Sequence, residues 1–183
     1  MSKNHLYWLK NALFLAFLVV FDQITKYLAK AHLKGQKSYI IIKNIISFKY
    51  LPGGNTGAAW GILSGKIIFF IVFTLFAVVV IAKFLLNIYR IYKKNYSLNP
   101  ITKSINILLI VLVAGAIGNL IDRIVNGYVI DFISFDFINF PIFNVADCYI
   151  TVSCILLFIM CIFKVDNDTF SSVFTFKKNP EDK

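Results

Sequence analysis

Cysteine and histidine are scarce in this sequence. Three cysteines, Cys148, Cys154 and Cys161, and two histidines, His5 and His32, are all that 183 residues provide. The cysteines fall in the last apolar block without CxxC pairing, which argues against a disulfide framework or a zinc site, and they read as small packing residues. The histidines flank the first apolar block with no Cys or Ser partner nearby, as side chains that snorkel to an interface do. Aromatic and basic residues do not interleave outside the apolar blocks, so nucleic acid is not an expected partner. There is no internal repeat and no sign of a second domain, so residues 1–183 read as one domain. Charge is sparse as well: 15% of residues are charged against 58% hydrophobic and 16% aromatic, with a mean hydropathy of +0.74. That balance excludes a soluble domain and makes the chain an integral membrane protein.

The apolar residues come in blocks at about Leu9 to Leu28, Ile67 to Tyr89, Ile105 to Ile121 and Val145 to Phe163. Each is near the ~20 residues a helix needs to cross the hydrocarbon core, which predicts a membrane all-α bundle of four transmembrane helices. The first block has a second reading as a signal peptide, but Asp22, Gln23 and Lys26 stand where such a segment is featureless. Four crossings put both termini on one side. Eleven basic residues at the termini and middle loop, against seven on the other face, make that side the cytoplasm. The net charge of +10 suits juxtamembrane lysines facing anionic lipid head groups.

Between the first two spans, residues 35–65 carry short β-branched and aromatic runs broken by lysines, with turn signals at Pro52-Gly53-Gly54 and Gly57. They predict a small extramembrane sheet, long enough to carry function. Asn87 to Lys103 reads as a polar, basic loop without chemistry, and the tail after Phe163 as a disordered or interfacial end.

Ionised groups at membrane depth cost ~2.5–3.5 kcal/mol each on insertion scales and demand an account. With a 1.5 Å rise from Leu9, Asp22 lies roughly 20 Å in, in the outer half of the membrane. The third span runs outward and delivers Asn119, Asp122 and Arg123 to the same end. The fourth begins there with Asn144 and Asp147, Asp131 sits on the connection, and Asn55 belongs to the outer loop. Asp22 and Lys26, at i, i+4 with the acid first, form either a structural ion pair or a substrate-orienting one. Arg123 either neutralises Asp122 or holds a peptide carbonyl. Asn144, Asp147 and Thr151 make a polar strip that must face protein or water.

Asp131 and Asp147 have no basic neighbour in sequence. Side by side they would share a proton, as the pair in an aspartic protease does: the ionised member takes a proton from water, and the other donates to the carbonyl. Structural carboxylates, or a proton relay in a small membrane transporter, remain open on spacing alone.

Four blocks in register resemble one family: "FDQITKYL" (21–28), "NTGAAWG" (55–61), "AGAIGNLIDRIVNGYVIDFI" (114–133) and "FPIFNVADCYI" (140–150). They are similar to the blocks of lipoprotein signal peptidase, or signal peptidase II, over about residues 12 to 163. The resemblance implies a multi-pass aspartyl endopeptidase of the bacterial cytoplasmic membrane, with an extracytoplasmic β-rich cradle between helices 1 and 2. Its substrate would be a prolipoprotein, cut before a cysteine bearing a diacylglyceryl group. It implies Asp131 and Asp147 as the catalytic pair, and Asp22, Lys26, Asn55, Asn119, Arg123 and Asn144 as supporting residues. It implies no metal or organic cofactor, membrane lipid as surroundings, and a monomer. Trp60 stands where the family commonly has Phe, and the outer loop is richer in lysine than expected.

Overall fold

The structure is a computed structural model and describes residues 2–57 and 65–176. Trp60 and the tail lysines Lys177, Lys178 and Lys183 lie outside the described residues. In chain order the elements are α1 (Lys3–Leu33), β1 (Tyr39–Ile42), β2 (Ile46–Phe48), α2 (Ile67–Asn95), α3 (Pro100–Asn126), β3 (Ile133–Phe135), α4 (Val145–Phe163) and α5 (Asn167–Val173). The first four helices are long and apolar enough to cross a membrane. At 1.5 Å per residue the 19 residues of α4 reach about 28 Å, just the hydrocarbon thickness, and the other three overrun it.

Helix ends follow local chemistry. Ser2, Asn99, Asn144 and Asp166 each accept a hydrogen bond from the backbone N–H three residues on, capping α1, α3, α4 and α5. Pro100 opens α3, and Gly127, with φ 75°, closes it by donating its N–H to the Arg123 carbonyl.

The core lies around α3. Ile105, Leu109, Ile110, Val113 and Ala114 are buried there, with α1, α2 and α4 packed around them. Gly115 and Gly118 let α4 and α1 come close: a β-carbon at Gly115 would stand 2.5 Å from the Ala146 carbonyl, and one at Gly118 2.4 Å from Asp22 Oδ2. Small residues at such crossings take the place of the hydrophobic drive that lipid cannot supply. By contrast, Ile68, Val72, Phe76 and Val79 of α2 are more than half exposed, a face solvated by acyl chains. The first block is thus a bundle helix, with Asp22 and Lys26 buried against α3, which removes the signal-peptide reading.

Two expectations need correction, and a third, the sheet, is extended. The polar loop expected from Asn87 to Lys103 shrinks to residues 96–99, because α2 continues to Asn95 and α3 begins at Pro100. Hydropathy marks where lipid ends, whereas helical hydrogen bonding continues through lysine-rich turns. The sheet has a third strand from outside the first loop: β1 pairs antiparallel with β2, and β2 with β3 from the α3–α4 connection. The tail is ordered through Phe176. Val173 is fully buried, Phe84 of α2 meets Phe174 and Phe176, and Asn87 Nδ2 donates to the carbonyls of Val173 and Thr175, each at 2.9 Å.

The Asn87 amide therefore fastens the end of the chain to α2. Asn87→Ala should free residues 165–176, raising their amide exchange at a local cost of about 1–3 kcal/mol, while exchange in α3 and α4 stays as it was.

Candidate active site

Asn144 organises the site. As the N-cap of α4 it forms a capping box with Asp147: its Oδ1 accepts from the Asp147 N–H at 3.0 Å, and its own N–H donates to Asp147 Oδ2 at 3.0 Å. With Oδ1 so committed, Nδ2 faces the other way and donates to Asp131 Oδ1 at 2.7 Å and to Asn119 Oδ1 at 3.1 Å. One asparagine thus binds both carboxylates, and the i, i+3 strip seen in the sequence is the first turn of a capped helix.

Asp131 is fixed through its backbone and neighbours. Asn55 and Val129 exchange two backbone hydrogen bonds, the Leu51 N–H donates to the Asp131 carbonyl, and the Phe132 N–H donates to the Phe143 carbonyl. The turn at Pro52–Gly53, with Gly53 and Gly54 at φ 79° and 70°, brings the chain round so that Asn55 arrives opposite Val129. Asn55 Oδ1 accepts from the Gly57 N–H at 2.9 Å, which leaves its Nδ2 to donate to Asp131 Oδ2 at 2.8 Å. Both oxygens of this buried carboxylate therefore face neutral amides. Burial, and after it the charge of Asp147, pushes the Asp131 carboxyl up to about 7, against the opposing pull of the Asn55 and Asn144 hydrogen bonds and the Lys26 charge.

Lys26 is the buried cation behind the pair, and its ammonium has three donors for three acceptors. They are Asp22 Oδ2 at 2.9 Å, Asp122 Oδ2 at 3.1 Å and Asn119 Oδ1 at 2.9 Å. The last contact sets the Asn119 amide, whose Nδ2 donates to Asp147 Oδ1 at 2.8 Å. Asp22 Oδ1 accepts from the Ala146 N–H at 2.9 Å, tying α1 to the first turn of α4. Asp22, Lys26, Asn55, Asn119, Asn144, Asp131 and Asp147 thus form one hydrogen-bonded cluster.

Arg123 stands at its edge. Of the two partners expected for it, the carbonyl is the one found: Nη2 donates toward the Gly57 carbonyl at 3.4 Å and Nη1 toward the Asn119 carbonyl at 3.5 Å, with the guanidinium 4.9 Å from the Phe70 ring centre. Lys26 takes Asp122 instead.

Two contributors were given no supporting role by the sequence, although Asp122 was placed at this end. Asp122 Oδ2 accepts from the Ile130 N–H at 3.0 Å as well as from Lys26, and so anchors the residue before Asp131. Its i+3 spacing from Asn119 was the available signal. Gln23 donates to the Gly118 carbonyl at 3.1 Å and reaches Asp22 and Asp122; nothing local marks it.

A groove of about 730 Å³ opens onto both carboxylates. Its walls are apolar, including Phe73 and Ile81 of α2, Leu112 of α3 and Ile150 of α4, while Asn55, Asn119, Arg123, Asp131 and Asp147 line its polar part. Such a site can place an extended apolar ligand beside two carboxyl groups at the head-group end of the bundle. No cluster of His, Cys, Asp and Glu among the described residues could hold a metal ion.

Comparison with known proteins agrees with this chemistry. The family profile for signal peptidase (SPase) II matches residues 14–163. A lipoprotein signal peptidase of Caldanaerobacter subterraneus is 44% identical over 81% of this chain and 93% of its own length. One from Enterococcus faecalis is 43% identical over 80% of this chain and 84% of its own. Among solved structures, a bacterial membrane enzyme determined by the in meso method at 1.9 Å superposes with a TM-score of 0.69 at 34% identity, covering 85% of this chain and 94% of its own.

Proposed function

We propose, for a chain that belongs to the signal peptidase II family, that Asp131 and Asp147 are the catalytic pair of its peptide hydrolysis. The protein is a membrane-embedded aspartyl endopeptidase that processes prolipoproteins. The observation that carries the assignment of the pair is Asn144 bonded to both carboxylates at the polar part of an apolar groove.

The chemistry follows from charge. Asp22, Asp122, Asp131 and Asp147 cluster around Lys26 and Arg123, so four carboxylates meet two cations. One shared proton on the pair halves that excess. The ionised member removes a proton from water as its oxygen attacks the scissile carbonyl, and the protonated member donates to the carbonyl oxygen. Collapse of the tetrahedral intermediate breaks the C–N bond, with the proton gained from water passing to the departing amine. Asn55, Asn119 and Asn144 hold the carboxylates in place, and Asp22 and Lys26 hold Asn119 and α4. Arg123, whose Nε has no acceptor among the described residues, is placed to take a substrate carbonyl.

The substrate is a prolipoprotein cut before a cysteine carrying a diacylglyceryl group. Its acyl chains and apolar signal helix enter the groove from the bilayer, which is why the ionisable groups lie at membrane depth. The active site faces the extracytoplasmic side and both termini the cytoplasm, in keeping with the distribution of basic residues.

Purified protein in sealed vesicles should release the signal peptide from diacylglyceryl-modified prolipoprotein, and leave the unmodified precursor uncut. With the Asp131 carboxyl at about 7, the shared proton is present below that pH and lost above it. The rate should fall about tenfold per pH unit on the alkaline side. A rate that keeps rising from pH 7 to 9 would contradict a protonated partner.

A further inference from the structure

The sheet carries a surface that catalysis does not use. β1 is an edge strand of Tyr39, Ile40, Ile41 and Ile42, between 45% and 65% exposed along its whole length, so both of its faces are open. Ile45, in the turn that follows, and Ile138, on the connection into α4, are each 48% exposed. An apolar edge open on both faces invites association and is usually blunted in water-soluble sheets.

Its charge is as one-sided as its hydropathy. Residues 34–66 contain five lysines and no Asp or Glu. Lys49 has a partner in Asp136 at 3.6 Å. Lys34 and Lys37 precede β1 and Lys43 follows it in the turn at Asn44, whose φ is 61°. These three are exposed. This apolar strand bracketed by lysines lies on the loop joining the same ends of two helices long and apolar enough to span a membrane.

We propose that the β1–β2 hairpin docks into the adjoining leaflet, with Tyr39 to Ile42 among the acyl chains and Lys34, Lys37 and Lys43 on anionic lipid head groups. The occupant is lipid rather than a second chain because the lysines would repel their own copies across an edge-to-edge pairing, whereas an anionic leaflet complements both features. Each lysine at such a surface favours docking about fivefold at low ionic strength, and salt weakens the effect.

The experiment places a tryptophan at Ile41 (Ile41→Trp) in the full chain and subtracts the emission of the parent. The protein is reconstituted in zwitterionic vesicles, alone or with 30 mol% phosphatidylglycerol, with bromine on the acyl chains of one lipid at a time. The result expected is quenching of the new tryptophan that is at least twofold stronger with brominated phosphatidylglycerol than with the same amount of brominated zwitterionic lipid. The preference should fall with added salt and vanish when Lys34, Lys37 and Lys43 become Gln. No quenching by either lipid would show that the hairpin stands in water and would overturn the proposal. So would equal quenching by both lipids, or a lipid preference that survives loss of the lysines. Crosslinking of two chains through β1 in the same vesicles would overturn it in favour of a second copy.

Discussion

Asp131→Asn and Asp147→Asn should each lower signal-peptide release on the order of a thousandfold or more, in proteins that still insert and fold. An amide at either position keeps the shape and one of the two hydrogen bonds that the carboxylate accepts, its NH2 turned toward the other donor, but can neither take a proton from water nor deliver one to the carbonyl. The two variants should be alike in activity, because a pair that shares one proton fails whichever half is replaced.

Stability separates this reading from a structural role for the same residues. Folding raises the Asp131 carboxyl from 3.8 to about 7, so its ionised form is disfavoured in the native state. The stability linked to this group is complete below about 3.8 and is lost as pH rises through about 7, a change on the order of 4 kcal/mol at most. Asn at 131 carries no charge to desolvate. The Asp131→Asn variant should therefore melt at or above the wild-type temperature at pH 8, and lose that advantage at pH 4. An inactive variant that melts well below wild type at pH 8 would return the carboxylate to a structural role, and near-normal turnover in either variant would remove it from the chemistry.

Lys26→Ala should destabilise the protein by about 3–5 kcal/mol, the largest stability loss expected of any single substitution here. The ammonium is 1% exposed and satisfies Asp22, Asp122 and Asn119 together. Removing it leaves two buried carboxylates facing each other and frees the Asn119 amide to turn away from Asp147. Thermal unfolding in detergent measures the first effect. Adding Asp22→Asn to Lys26→Ala should recover part of the loss, because one of the two stranded charges goes with it. Activity should fall through folding and substrate handling, leaving measurable cleavage by whatever protein remains folded. A Lys26→Ala protein of normal stability and normal substrate affinity that is wholly inactive would assign Lys26 to the chemistry itself.

How much of this was legible beforehand differs from residue to residue. The four spans were legible because hydropathy reports contact with lipid, and their depth alone brings Asp22, Asn119, Asn144 and Asp147 to one level. The capping box was implicit in Asn144 and Asp147 at i, i+3. The partner of Lys26 was only half legible: Asp22 at i+4 is local, whereas Asp122 comes from α3 and depends on how the helices are rotated about their axes. Arg123 was left with two options for the same reason. The docked tail was missed because a seven-residue helix with two phenylalanines beyond it has no pattern of its own, and its order depends on the buried Asn87 amide. The third strand was missed because a three-residue ISF run on the α3–α4 connection acquires meaning only beside its identical counterpart in β2.

Asn144 both starts α4 and joins the two aspartates. On the proposed assignment of the pair, a newly made chain has no cutting power until its last membrane segment has begun to wind, since the residue that caps the coil is the one that aligns the blades.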